Sequence, residues 1–409
     1  PEMRALLPVL QAWDPLVFLD LHVTDGAHFL PDVSLLVAPL LEGPPPMKAM
    51  ARVLQEEIHA ELRAGGHLPL DFYPSLVRED DPASGFTRTV YPPRFSHTYW
   101  ALRNRLAVLV ETHSWKDYRT RVVTTRDVLA AALGSVRRHG PAWGVRMRGL
   151  DEDTASKPPA ALDLALAASE ETETIEFPAY AYDRAPSPAT GGTYLRFHLD
   201  RPEVWRVPLR SKMVATARVE LPRGGWAIPP GWAEVAAEAL DRHGIQHRLL
   251  RRAVPARVST FQITDLRPSS APYEGRQRLD PVGTWSAARP SELARGTLVV
   301  PLAQAKAALA AQLLEPTGPD SLVAWGTFNA AFQQQEYVEQ YLLEPWAEAE
   351  LGRDPELRAA FEERLRDPTF AADADARRRF FLLRHPSYDQ RIRRAPVLRI
   401  ASPLGARAR

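Results

Sequence analysis

Hydrophobic residues at the start of the chain recur at helical spacing. Met3, Leu6, Leu7, Leu10 and Trp13 define one face, so residues 2 to 13 are predicted to form an amphipathic helix. A short, largely apolar run follows, "LVFLDLH" at 16 to 22, apolar enough to read as a strand covered on both faces, with His22 at its C-terminal end. Past a loop containing "GPPP", residues 46 to 64 predict a second amphipathic helix, stopped by Gly65 and Gly66. Residues 67 to 97 are polar, and their "REDDPASG" stretch has no regular pattern; loops of this length are usually functional or mobile. "LAVLV" at 106 to 110 predicts a second buried strand, with Glu111 and His113 just past its apolar core, and a helix from about 124 to 138 follows, with "HGPAWG" as its stop. Helix, strand, helix, strand, helix is an α/β layout.

From about residue 148 the pattern shortens. "TIEFPAYAY", "TYLRFHL", "VWRVPLR", "MVATARVEL" and, after a helix at about 231 to 243, "RVSTFQIT" are strand candidates separated by Pro and Gly. Beyond 296 a strand ("TLVVP") and a helix ("AQAKAALAAQLL") lead into a mostly helical stretch that includes "PELRAAFEERLRD". Three regions are therefore expected: an α/β unit over 1–145, a β-rich α+β domain over 146–290, and a mostly helical region over 291–409.

Composition narrows the chemistry. With 51 basic and 50 acidic residues spread along 409, no basic stripe marks a nucleic-acid partner. The absence of cysteine excludes disulfides, thiolate metal sites and cysteine nucleophiles, so any metal must be held by His, Asp or Glu. No apolar run reaches the roughly 18 residues of a membrane span, and no signal peptide is visible. The patterns G-x-S-x-G, G-x-G-x-x-G and H-E-x-x-H are absent. The chain opens on Pro1 without an initiator Met, directly into a helix, and the expectation is that further polypeptide precedes it.

Two strand ends remain as candidate sites. His22 ends the first strand, with Asp20, Asp25 and His28 close by in sequence, and Glu111 ends the second; a metal site flanked by a glutamate is a hydrolytic pairing. The plain alternative is ordinary hydrogen-bonded strand-end polarity. A site built from His22, Asp25 and His113 is disfavoured, because His113 follows Glu111 by two residues and competes with it for one strand face.

The helix leading into "FLDLHVTDG", followed about 90 residues later by "LRNRLAVLVETH", resembles the second half of the catalytic domain of zinc carboxypeptidases of the carboxypeptidase A family. The resemblance implies a mixed-sheet α/β catalytic domain. His22 matches that family's third zinc ligand, and Glu111 matches its catalytic glutamate, which takes a proton from zinc-bound water and passes it to the leaving amine. Tyr91, about 20 residues before Glu111, matches a substrate-closing tyrosine in a mobile loop. His22 would be held as a neutral imidazole by an acceptor such as Asp20 or Asp25. The implied activity is hydrolysis of C-terminal peptide bonds, the cofactor one zinc ion, the partner a peptide, and the location periplasmic or secreted.

One departure matters. No H-x-x-E occurs in the chain; the nearest pattern, His22-Val23-Thr24-Asp25, overlaps the third ligand itself. In the family the H-x-x-E, an oxyanion-stabilising arginine and a substrate-gripping Asn-Arg pair all precede the helix that stands first here. The resemblance thus implies that two zinc ligands lie upstream and that this chain alone is inactive, since catalytic zinc uses three protein ligands. Residues 148–409 resemble the accessory region of larger bacterial members, through "LLEPTGPDSLVAWGTFN" and "FFLLRHPSYD". The competing expectation is a non-catalytic peptide- or glycan-binding protein. It predicts that His22, Tyr91 and Glu111 do not converge, whereas the hydrolytic reading puts His22 and Glu111 on neighbouring strands facing one cleft.

Overall fold

The computed structural model describes residues 2–25, 27–333 and 337–405. The chain begins α1 (Glu2–Trp13), β1 (Val17–Thr24), β2 (Val33–Ala38), α2 (Pro45–Ala64), β3 (Pro69–Leu70), β4 (Phe86–Thr87), α3 (Ser96–Ala101), β5 (Leu106–His113) and α4 (Tyr118–Ser156). It continues through β6 (Ala161–Ala168), β7 (Glu173–Pro186), β8 (Thr193–Arg210), β9 (Met213–Glu220), β10 (Gly225–Ile228), α5 (Pro230–Arg242), β11 (Arg248–Leu249) and β12 (Val254–Pro268). The remainder is β13 (Leu279–Trp285), β14 (Arg289–Leu293), β15 (Leu298–Val300), α6 (Ala307–Leu314), α7 (Gln340–Arg353), α8 (Pro355–Leu365), α9 (Pro368–Ala372), α10 (Ala374–Leu382) and β16 (Arg394–Ile400). The class is mixed α/β, and two of the sheets mix parallel and antiparallel pairs.

The first sheet has the order β1-β5-β2-β3, with β1 and β5 parallel and β2 antiparallel to β5. Every residue of β5 is buried, the apolar 106–110 and the polar Glu111, Thr112 and His113 alike. By contrast β1, expected to be covered on both faces, lies at the sheet edge with Leu21, His22 and Val23 exposed, because only one neighbouring strand pairs with it. One face packs on α2 and α4 through Val33, Leu35, Leu54, Ile58, Val108, Val110 and Val128. On the other face Phe18 stacks on Trp100 of α3 at 5.4 Å, which closes the base of the sheet and leaves its C-terminal end polar.

α4 departs from expectation. It is capped by the Asp117 side chain and runs on to Ser156, through "HGPAWG" and through the expected division at 145. Pro141 costs a helix about 3 kcal/mol. Beyond it, however, Trp143 and Met147 are buried in the same core as Val128 and Ala132, and burial of two such side chains stabilises by roughly 1.5–3 kcal/mol each. Tertiary packing outweighs the local stop signal.

Glu57 of α2 ties this helix pair together. Its carboxylate accepts hydrogen bonds from Arg138 (2.9 Å) and His139 (2.8 Å) of α4. Burial works to raise its pKa, but the hydrogen bonds from Arg138 and His139 hold it down to about 2. A depressed carboxyl pKa stabilises the fold above the ordinary value of about 4.3 and loses that contribution as pH falls towards 2. Glu57→Gln is expected to cost about 1 kcal/mol at pH 7, after allowance for solvent screening. Urea titrations at a series of pH values should show the gap between the two proteins closing between about pH 5 and pH 2.

The β7–β8 hairpin packs over the loop that follows β1, where Phe29, Phe72 and Phe86 meet Phe177, Trp205, Val207 and Leu209. "TYLRFHL" and "VWRVPLR", expected as two strands, form the single strand β8; Pro202 sits where the register with β7 shifts, between Tyr180 and Ala181, a bulge position that tolerates proline. The seven-stranded antiparallel sheet runs β11-β15-β10-β16-β12-β13, with β14 also on β12. Strands from both sides of the expected division at 290 therefore pair with one another. Leu7 of α1 and Tyr99 and Trp100 of α3 join the core of this sheet. α7 to α10 enclose a separate small core around Leu343, Phe370, Phe380 and Phe381, and Asp354, Asp367 and Asp373 cap three of these helices. Among the described residues no helix is long and apolar enough to cross a membrane.

Candidate functional site

Strand periodicity places Phe18, Asp20, His22 and Thr24 on one face of β1. The parallel register pairs His22 with Glu111 and Thr24 with His113, so these side chains rise from the same face of adjacent strands. His22 and Glu111 thus stand side by side at the carboxyl end of a parallel pair, a position where open α/β sheets bind ligands.

Asp20 organises this corner. Its carboxylate lies 2.9 Å from His22 Nε2 and accepts a hydrogen bond from Ser96 Oγ at 2.5 Å. A carboxylate only accepts, so the proton of a neutral His22 ring resides on Nε2 and the lone pair on Nδ1. Half of the His22 side chain is exposed, so the ring can meet a ligand. A neutral imidazole backed by a carboxylate is the donor arrangement a zinc ion prefers, and His22 fits the role of one ligand. Among the described residues no group of three His, Cys, Asp or Glu side chains is close enough to hold an ion.

Glu111 is 8% exposed. Burial raises its pKa; the neighbouring His22 works against this, and the Asp20 and Asp25 charges add to it. Tyr73 donates a hydrogen bond to Asp25 Oδ1 at 2.5 Å, which ties the 67–97 loop to the segment just past β1. Tyr91 packs on Phe95 (4.8 Å) and edge-on to His97 (5.4 Å). Its hydroxyl pKa is raised by burial and then by the charges of Glu111 and Asp25. His97 is buried and held neutral, its pKa pushed down to about 4 by burial against the opposing charge of Asp20.

The structure thus sets His22 beside Glu111 with Asp20 on the His22 ring, while the contacts of Tyr91 are with Phe95 and His97. His28 points elsewhere and stacks on Trp115 at 4.1 Å. His113 is 1% exposed beneath Phe29, with both ring nitrogens free of hydrogen bonds. Tyr73, Ser96 and His97 carry no local sequence signal; only the folding of the 67–97 loop and α3 onto β1 reveals them.

Comparison with known protein families, curated proteins and solved structures finds no match to this chain. The site is therefore read from its own geometry.

The loop that carries Tyr91 is anchored from far along the chain. Asp320, almost fully buried, accepts from the Arg94 backbone N–H (2.8 Å), from Arg94 Nη1 (2.7 Å) and from Trp325 Nε1 (2.9 Å). The "GPDSLVAWG" portion of the C-terminal motif is therefore a clasp on the cleft wall.

Proposed function

We propose that this chain carries one side of the active site of a zinc-dependent metallocarboxypeptidase that removes C-terminal residues from peptides. The observation that supports this reading best is the register that sets His22 beside Glu111, with Asp20 on His22 Nε2. His22 would ligate the ion through Nδ1. The resemblance to the carboxypeptidase A family assigns the two further ligands and the substrate-carboxylate grip to polypeptide outside residues 1–409. Bound there, zinc would supply Lewis-acid polarisation of the scissile carbonyl and acidify water.

The chain's own residues supply the proton transfers. Glu111, ionised, takes a proton from the attacking water as its oxygen bonds to the carbonyl carbon. The carboxyl group then returns the proton to the amine nitrogen as the C–N bond breaks. Its raised pKa favours both steps, since a base that must also act as an acid works best near the ambient pH. Tyr91, on a loop clasped by Asp320, closes the cleft over the substrate and contributes its hydroxyl as a donor.

The metal ligation is tested by Asp20→Asn in the longest natural polypeptide containing residues 1–409. An amide can still accept from Nε2 but no longer supplies charge, so zinc affinity is expected to fall roughly 10- to 100-fold with the fold intact. Competition with a fluorescent zinc chelator measures this. Unchanged affinity would remove His22 from the ligand set.

A further inference from the structure

A cavity of about 660 Å³ lies behind Tyr91, between the end of α4, the β6–β9 pair and α6. Its size is within the range of small-ligand sites, about 300–1,000 Å³. Its lining has an unusual feature. Six consecutive residues of β6, 161–166, all border it. Neighbouring side chains of a regular strand point to opposite faces. Over 161–163, before the register with β9 shifts around Leu164 and again between Ala165 and Leu166, a cavity that touches each residue in turn therefore meets the strand edge-on. That edge is unpaired: β6 hydrogen-bonds only to β9 among the described strands. One carbonyl on this side, that of Leu164, accepts from Gln312 Nε2 at 3.0 Å, and among the described residues no strand lies opposite the edge.

The remaining walls fit an extended polypeptide. Ala305, Ala308 and Gln312 present one face of the α6 segment, and small side chains there leave room for a backbone. The charged lining residues nearly balance: Lys48, Lys157 and Arg218 face Asp153, Asp163 and Glu42, whose carboxyl pKa is pushed up to about 7 by burial, and Asp163 and Arg218 pair with each other at 2.7 Å. A neutral, largely apolar segment is the chemistry that suits such walls. Tyr91 borders this cavity and also a second, smaller pocket beside Tyr73 and His97, and the Arg94–Asp320 clasp holds the 91–93 wall.

We propose that the free edge of β6 is a peptide-docking groove: an extended, neutral segment of the polypeptide substrate adds to β6 as a third strand while its terminus passes Tyr91 towards Glu111. Main-chain pairing provides affinity independent of sequence, and the apolar walls select against charged segments. The six residues span roughly 20 Å at about 3.3 Å each, so the groove favours long unfolded peptides over dipeptides. The identity of the occupant as substrate rests on the hydrolytic reading of the site; the docking itself does not.

The test uses the chain of residues 1–409 and an acetylated, amidated hexapeptide of alternating valine and threonine, titrated by calorimetry. A matched peptide carries N-methyl groups on the alternate amides that would pair with β6. The unmethylated peptide is expected to bind, and its methylated partner to bind at least about tenfold more weakly, because several hydrogen bonds of about 1 kcal/mol each are lost. Ala308→Trp fills the groove and is expected to weaken binding tenfold or more, with circular dichroism reporting that the protein is folded. Equal affinity of the two peptides, no binding of either below about 1 mM, or full binding by folded Ala308→Trp would each overturn the proposal. If the variant does not fold, the peptide pair decides alone. Because the blocked terminus cannot be cleaved, loss of binding sinks the groove and leaves the hydrolytic reading standing, while loss of hydrolysis with binding intact does the reverse.

Discussion

Glu111→Gln, introduced into the longest natural polypeptide containing residues 1–409, is expected to lower peptide hydrolysis by roughly 10²- to 10⁴-fold, the contribution of a positioned general base. The amide has the shape of the carboxyl group but cannot take a proton. Because glutamine matches glutamate in size and β5 is held by buried pairing on both sides, the substitution should leave the sheet undisturbed. Zinc should remain bound, since His22 and Asp20 keep their contact. Steady-state rates on a blocked dipeptide, with metal content measured in parallel, provide the check. Hydrolysis within about twofold of the parent would end the assignment of Glu111 and with it the hydrolytic reading.

The largest effect on stability is expected far from the cleft. Glu315, at the end of α6, is fully buried and accepts from Trp226 Nε1 at 2.8 Å and from Arg399 Nε at 2.9 Å, with Arg399 Nη2 on its second oxygen. Trp226 and Arg399 are direct cross-strand partners on β10 and β16, and Arg399 also lies over the Trp285 ring at 4.3 Å. Glu315→Ala would strand a buried guanidinium and leave an indole N–H unpaired. Breaking one partner of a buried pair costs about 3–5 kcal/mol, so unfolding free energy measured in guanidinium chloride should fall by that amount. Adding Arg399→Met should recover part of it, because the uncompensated charge is then removed. A loss below about 1 kcal/mol for the single variant would mean that solvent reaches the pair.

These two cases mark how far the sequence is legible. β1, α2 and β5 follow from largely apolar runs and helical periodicity, and with them come the two strand ends that hold His22 and Glu111. β2 is equally apolar but short and bracketed by Pro31 and Pro39, and its place beside β5 is decided by pairing with distant residues. The reading of "HGPAWG" as a helix stop weighs the local cost of Pro141 and misses Trp143 and Met147, whose burial depends on where α2 and the sheet lie. The same limit applies at the site. Asp20 stands two residues from His22 and is found by strand period alone, whereas Tyr73, Ser96 and His97 arrive from separate segments. The motif around Glu315 and Asp320 is recognisable as a string, yet its two carboxylates act through residues about 80 and 230 positions away.

β16 has a consequence for how the protein is made. A ribosome releases the chain from its N-terminus, so β10 and β12 emerge long before residues 394–400, which must lie between them. Until then the strand that pairs with both is missing, and if β10 and β12 already hold their final places a slot one strand wide would lie between them, with Trp226 and Val258 at its margins. The nascent protein at that stage is a template for any passing β-prone segment. Its cellular yield would therefore be governed by the time between synthesis of β12 and arrival of β16, and by whatever shields that slot in the interval.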